Sequence, residues 1–306
     1  MNARQLLVLI GISLAWGFHI VVIKTAVASA PPIFYAAMRM TLVAVLLSPF
    51  LRWRPGKMLR LAAAGLCLGG FNYALMFSGL RLAPASASAI ALELYTPFAT
   101  LLSVALLGER IGWRRMLGIA LAFSGVAIIA LGRKGGGAGG GAGLGIGLVA
   151  GAALAEAMGA ILVVKTRGLK PHEMLAWYAV VGAAALWVTT ALLERGQIAT
   201  LRTGKPFLVA GAVVYSACVS SIVAHTAYYW LLQRLPVSQV APSGILTTLF
   251  AVFFSVVFLG EPLSLRFLIG GAVALGGVTI VLLRAPKGRI IEPGAPEPIV
   301  AAEDRR

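Results

Sequence analysis

Stretches of about twenty apolar residues recur from one end of this chain to the other, each bounded by charges or a Pro/Gly break. A helix rises about 1.5 Å per residue, so each stretch can cross the roughly 30 Å hydrocarbon core of a bilayer. Of the 306 residues 59% are hydrophobic and only 12% are charged, about half the charge a water-soluble domain carries. These features exclude a soluble fold and predict an all-α, polytopic membrane protein. The runs place ten transmembrane helices near 5–24, 32–51, 59–80, 84–107, 113–132, 145–164, 173–193, 206–231, 236–259 and 265–283.

A net charge of +16 would suggest a nucleic-acid partner in a soluble protein. Here the charges sit between the apolar runs, where cytoplasmic loops of membrane proteins collect Lys and Arg. With the N-terminus inside, 17 of the 26 Lys and Arg fall on the cytoplasmic side, 8 fall outside, and Arg39 lies within a span. The loop from Arg52 to Lys57 is the strongest indicator, and both termini are expected in the cytoplasm. Ala28-Ser29-Ala30 looks like a signal-peptidase site, but the run before it is long and Pro31 follows the cut, so it reads as the first span. Cys67 and Cys218 both lie in apolar runs and read as buried free thiols.

The glycine-rich stretch at 135–144 nearly bisects the chain and reads as a flexible linker. No Lys-Ser/Thr follows it, so it is no phosphate-binding loop. A shift of 152 residues aligns Pro84–Leu131 with Pro236–Leu283 without a gap, giving 20 identities in 48 positions. Among them are Ser86/Ser238, Thr96/Thr248, Ser103/Ser255, Gly108-Glu109/Gly260-Glu261, Gly118/Gly270 and Gly125/Gly277. Chance matching of apolar residues does not supply a Gly-Glu pair and two helix glycines in one register. The chain therefore divides into a five-helix repeat at 1–134, the linker, a second five-helix repeat at 145–284, and a disordered tail at 285–306. Five is odd, so the two repeats enter the membrane inverted, as in many secondary transporters.

Several pieces resemble a known family: Ala15-Trp16-Gly17 in the first run, Pro32 through Arg39 opening the second, and the Pro97-containing fourth run ending in Gly108-Glu109, an ending repeated at Gly260-Glu261. Together they are similar to the drug/metabolite transporter superfamily, in particular its ten-helix EamA-type exporters, and within these to aromatic amino-acid exporters. The resemblance covers roughly residues 5–284. It implies export of amino acids and related small metabolites across a bacterial-type cytoplasmic membrane. Arg39 corresponds to the family's arginine in the second helix, which implies a gating or structural role.

An ionisable group in hydrocarbon costs about 2.5–3.5 kcal/mol on insertion scales, so Arg39, Glu93 and Glu156 should face protein or a water-filled cavity. Glu93 and Glu156 fall at mid-span, where inverted-repeat transporters bind substrate. Ser86, Glu93, Thr96, Thr100 and Ser103 share one helix face. Pro97, four residues past Glu93, is expected to leave the Glu93 carbonyl without a helix partner, and Pro242 is expected to do the same for Ser238. The repeat offset pairs Tyr73 with His225, and Ser221, His225 and Tyr228 or Tyr229 form a further stripe. Trp16, Asn72 and Tyr73 interrupt apolar runs, and Tyr95 is included for its depth. The expected substrate site is Trp16, Asn72, Tyr73, Glu93, Tyr95, Glu156, His225 and Tyr228, with Arg39, Pro97 and Pro242 in gating or structural roles. Glu109 and Glu261, at helix ends, read as capping or loop contacts.

Two cargoes fit this set: amino acids, aromatic or otherwise hydrophobic, moved by alternating access, and lipophilic cations or drugs exchanged for protons at the carboxylates. An enzyme would cluster a nucleophile, base or metal ligands near an interface, and no such cluster occurs. His19, His172 and His225 are scattered, so no metal or other cofactor is expected. Partners reduce to the small-molecule substrate and membrane lipids, and fusion of both repeats in one chain allows a monomer to function.

Overall fold

With no water inside a bilayer, backbone polar groups must bond within their own segment, and apolar runs of this length do so as helices. A computed structural model describes residues 2–131, 141–164, 169–199, 205–232, 234–235, 237–240 and 242–284. Most of the 135–144 stretch and the tail at 285–306 lie outside the described residues. The spans are α1 (Ala3–Ser29), α2 (Pro32–Leu46), α3 (Met58–Leu82), α4 (Ala85–Leu92 and Tyr95–Leu107), α5 (Trp113–Leu131), α6 (Ala142–Val164), α7 (Pro171–Leu193), α8 (Pro206–Leu232), α9 (Val237–Val240 and Pro242–Leu259) and α10 (Leu265–Leu283). Eight are long and apolar enough to cross a bilayer, and α2 and the longer piece of α9 are shorter apolar helices.

The ends differ from expectation for local reasons. α1 starts at Ala3 because Asn2 and Gln5 form a reciprocal capping box, with bonds of 2.9 and 2.8 Å. α2 stops at Leu46 instead of running to residue 51, because Ser48–Phe50 tightens into a 3₁₀ turn carrying Pro49. α6 begins at Ala142, three residues earlier than the apolar run suggested.

Packing relates the two halves by approximate two-fold symmetry. α2 packs on α7 and α5 on α10, while α1 with α9 mirrors α6 with α4. At the α5–α10 crossing the glycines exchange partners. A Cβ on Gly118 would lie 2.8 Å from the Gly277 carbonyl, and one on Gly270 would lie 2.8 Å from the Gly125 carbonyl. Without a hydrophobic drive between helices in lipid, such backbone-to-backbone approach is what holds spans together. Gly69 of α3 meets Gly182 of α7 in the same way, whereas Gly147 faces open space. α3 and α8 also share a local irregularity, π segments at Leu66–Phe71 and Tyr215–Val223 that overlap under the 152-residue shift.

The two Gly-Glu pairs form the same turn. Gly108 and Gly260 adopt φ of 70° and 65°, a left-handed conformation that favours glycine. Each following glutamate donates its backbone N–H to a serine carbonyl six residues back, Ser103 or Ser255, at 3.3 Å. Their side chains then diverge. Glu109 accepts from Ser103 at 2.9 Å within its own helix end. Glu261 crosses to the start of α4 and accepts from the Ala85 N–H (2.6 Å), the Ser86 N–H (2.9 Å) and the Ser86 hydroxyl (2.5 Å). Glu194, just past α7, caps α2 through the N–H groups of Ile33 (2.9 Å) and Phe34 (2.8 Å). At the same end of the bundle, Lys24 donates to the last carbonyls of α3, Leu80 at 2.6 Å and Ala83 at 2.7 Å. Anions on helix starts and a cation on a helix end each meet the favourable pole of the helix dipole. The opposite end is tied by Arg54, which grips Glu173 at the start of α7 with bonds of 2.9–3.2 Å.

Glu261→Ala is expected to remove about 2 kcal/mol, the usual scale of a charged helix cap. The thermal midpoint of the detergent-purified protein should fall clearly below that of Glu109→Ala, whose carboxylate serves only its own turn.

Candidate functional site

α4 is interrupted between its two pieces, and the interruption positions Glu93. Here the backbone tightens into three-residue turns: Glu93 N–H bonds Ile90 at 3.2 Å, and Leu94 N–H bonds Ala91 at 3.1 Å. The Glu93 carbonyl, expected to be left free by Pro97, instead accepts from the Thr96 N–H at 3.2 Å. Pro97 is the third residue of the second piece, where its missing N–H costs no helix bond. The break therefore presents the Glu93 side chain, and its carbonyl is satisfied. Pro242 likewise opens the longer piece of α9.

Glu93 reaches across to the second half. Thr248 of α9 donates its hydroxyl to Glu93 Oε1 at 2.6 Å, and Gly244 of the same helix lies beside the carboxylate. Glu156 enters from α6 and is held by Asn72 of α3, whose amide donates to Glu156 Oε2 at 3.4 Å and to the Ala152 carbonyl at 2.9 Å. The two carboxyls lie within electrostatic range of each other, and Tyr95 lies within range of both Glu156 and Tyr228. Among the described residues neither glutamate has an ion-pair partner.

The aromatic residues continue from there. Trp16 packs against His225 edge-on at 5.1 Å and against Tyr228 at 5.5 Å. Its indole N–H donates to the Ser220 carbonyl at 3.1 Å, and His225 Nδ1 lies 2.9 Å from the same oxygen. Ser220 belongs to the π segment of α8, which turns carbonyls out of the regular ladder. On the far side Arg39 stacks over Tyr73 at 4.2 Å, with Phe77 at 5.9 Å. Its guanidinium donates to Ser221 Oγ at 2.8 Å and, at the limit of a bond, to the Ser216 carbonyl at 3.5 Å. Arg39 is 1% exposed and pairs with neither Glu93 nor Glu156.

The eight expected substrate residues come from α1, α3, α4, α6 and α8, and the contacts among them join Trp16 to His225 and Tyr228, and Asn72 to Glu156; we call this set the belt. Asn72 is buried, whereas Trp16, Tyr73, Glu93, Tyr95, Glu156, His225 and Tyr228 are half-buried. Trp16, Tyr73, Glu93 and Glu156 each have a partner on another helix. The rest of the α4 stripe does not join them. Ser86 serves Glu261, while Thr100 and Ser103 bond to their own helix, to Glu109 and to Arg115.

Sequence reasoning missed the polar cluster behind the belt. His19 sits between two serines, with Nε2 2.9 Å from Ser216 Oγ and Nδ1 3.0 Å from Ser220 Oγ. The Tyr35 hydroxyl lies 2.6 Å from Ser216 Oγ and donates to the Ala212 carbonyl at 3.1 Å. The available cue was Ser216, Ser220 and Ser221 within six residues of an apolar run. Among the described residues no group of three His, Cys, Asp or Glu could hold a metal.

The model of the EamA-like transporter family matches residues 3–131 and again 143–283. A "Probable amino-acid metabolite efflux pump" of Salmonella typhimurium is 25% identical over 272 residues, 87% of this chain and 90% of that protein. A protein of the same name from Escherichia coli is 26% identical over 273 residues, covering 87% and 90%. A "Probable terminal-alkyne amino-acid exporter" of Streptantibioticus cattleyicolor is 29% identical over 204 residues, 65% of this chain and 64% of that protein. One solved crystal structure, 19% identical, superposes with a TM-score of 0.58 over 93% of this chain and 98% of its own, a likeness of fold.

Proposed function

The chain belongs to the EamA-like transporter family, and on that premise we propose that it exports amino acids, aromatic or otherwise hydrophobic, across the cytoplasmic membrane by alternating access. A transporter, not an enzyme, is what family membership implies. The observation that carries the cargo is the pair Glu93 and Glu156: half-buried, at mid-span, within electrostatic range, and without an ion-pair partner among the described residues. Carboxyls held in hydrocarbon take either a proton or a counter-charge, and a substrate ammonium supplies the second. Trp16, Tyr73, Tyr95 and Tyr228 give the apolar body of the substrate rings to pack against. The relatives' names, amino-acid efflux pump and amino-acid exporter, agree with this cargo.

In this reading the halves at 1–134 and 145–284 rock about the belt, with both termini in the cytoplasm and one chain as the working unit. Glu93 bonded to Thr248 bridges the halves at the centre, and a substrate ammonium competing for Glu93 couples binding to their relative motion. Glu261 and Glu194 then close the external end, and Arg54 with Glu173 ties the cytoplasmic one. Cells overproducing the protein and fed phenylalanine-containing dipeptides should release phenylalanine faster than cells carrying an empty vector. Release no faster than from empty-vector cells, for phenylalanine and for every other apolar residue supplied as a dipeptide, would contradict the proposal.

The same carboxylates favour a second cargo, lipophilic cations exchanged for protons. If Glu93→Gln abolished resistance to such cations while amino-acid efflux stayed intact, this second reading would replace the first.

A further inference from the structure

Among the described residues Arg39 is the one buried cation, and the belt leaves its charge unanswered. It lies 1% exposed in the middle of α2. Its Nη1 is buried without a hydrogen-bond partner among the described residues. What surrounds it is neutral or apolar: the Ser221 hydroxyl, the Ser216 carbonyl, and the rings of Tyr73 and Phe77. His19, Tyr35, Tyr73 and His225 are titratable groups that face it, and none of them is a carboxylate; among the described residues it has no ion-pair partner. A guanidinium offers five N–H donors in a planar fork suited to a carboxylate. Desolvating it without an anion is costly, and an unmet buried donor adds to that cost.

We propose that Arg39 is the substrate-carboxylate subsite, its free Nη1 and the Ser221-bound Nη2 forming a fork for an anionic group, with Tyr73 as the ring that covers it. The inference rests on the amino-acid reading above and deepens it. Tyr73 is half-buried and follows Asn72, the residue that holds Glu156. One helix thus borders both charged parts of the site, so a zwitterion can meet a cation on one side and carboxylates on the other. Movement of the Tyr73 ring off Arg39 opens the fork to the belt. A cargo bearing only a positive charge gains nothing from this subsite and is repelled by it.

The test uses the full-length protein in lipid nanodiscs, with L-phenylalanine and phenethylamine, the same molecule lacking its carboxylate, as probes. Wild type should bind L-phenylalanine at least about tenfold more tightly than phenethylamine, the scale of a charge-assisted bond. Arg39→Gln should lose that preference, and Arg39→Lys, which keeps the charge, should retain part of it. Equal or tighter binding of phenethylamine by wild type would overturn the carboxylate subsite while leaving an amine-binding site. Binding of neither probe, nor of other apolar amino acids, by folded wild type would overturn both the subsite and the amino-acid reading. If Arg39→Gln does not fold, the wild-type ratio and Arg39→Lys decide, since a purely structural arginine would not set the ratio between the two probes.

Discussion

Glu156→Gln and Glu93→Gln are each expected to lower amino-acid efflux roughly 10- to 100-fold, the equivalent of one bond to a charged group. The amide keeps the size of the side chain and removes the charge that a substrate ammonium would meet. Asn72 donates to Glu156, and a glutamine oxygen can still accept from it, so the fold should survive. Thr248 is in the same position toward Glu93. The readout is efflux per folded transporter, with thermal midpoints of the purified variants as the control. Glu109→Gln serves as comparison, because its carboxylate bonds within its own helix end. Loss of efflux in Glu109→Gln equal to that in Glu156→Gln would show that a carboxylate far from the belt matters as much, and the belt would lose its special status.

The second large effect concerns assembly. Gly125→Leu is expected to cost roughly 3 kcal/mol or more, because an overpacked contact here has nowhere to relax. A Cβ at Gly125 would meet the backbone N of Ala274 and come within 2.5 Å of the Gly270 carbonyl. These are backbone atoms, so α5 and α10 must separate to admit a side chain, and dispersion along the crossing is lost with them. Gly125→Leu should yield little monodisperse protein on size exclusion, and Gly125→Ala should fall between it and wild type. Gly147→Leu, facing open space, should behave as wild type.

Gly118, Gly125, Gly270 and Gly277 were visible in the sequence as repeat identities, and the structure shows why they coincide. Each glycine of one half contacts the other half at a position related by the same shift. Helix number and most helix limits were equally legible, since apolar length alone sets them in a bilayer. The α4 break was legible from Pro97, but its consequence was misassigned, because whether a freed carbonyl finds a three-residue partner depends on local turn geometry. The expected site residues were drawn from the rule that polar groups at mid-span must look inward, and Asn72, Glu93 and Glu156 do have partners on other helices. The same rule overlooked His19 and Tyr35. A histidine flanked by serines from another helix has no local signature, since its partners lie some 200 positions away in sequence. The crossing of Glu261 to α4 was hidden for the same reason, although its capping role followed from its place at a helix end.

The central claim is that the belt carries an amino acid across the membrane, and counterflow in proteoliposomes tests it most directly. Vesicles preloaded with unlabelled L-phenylalanine, leucine or alanine would be diluted into the radiolabelled amino acid, with wild type, Glu156→Gln and empty vesicles side by side. The account predicts saturable accumulation with wild type for at least one apolar amino acid, and near-background accumulation with Glu156→Gln. Wild-type protein that is folded by its thermal midpoint yet exchanges none of them, or Glu156→Gln that exchanges as fast as wild type, would contradict it.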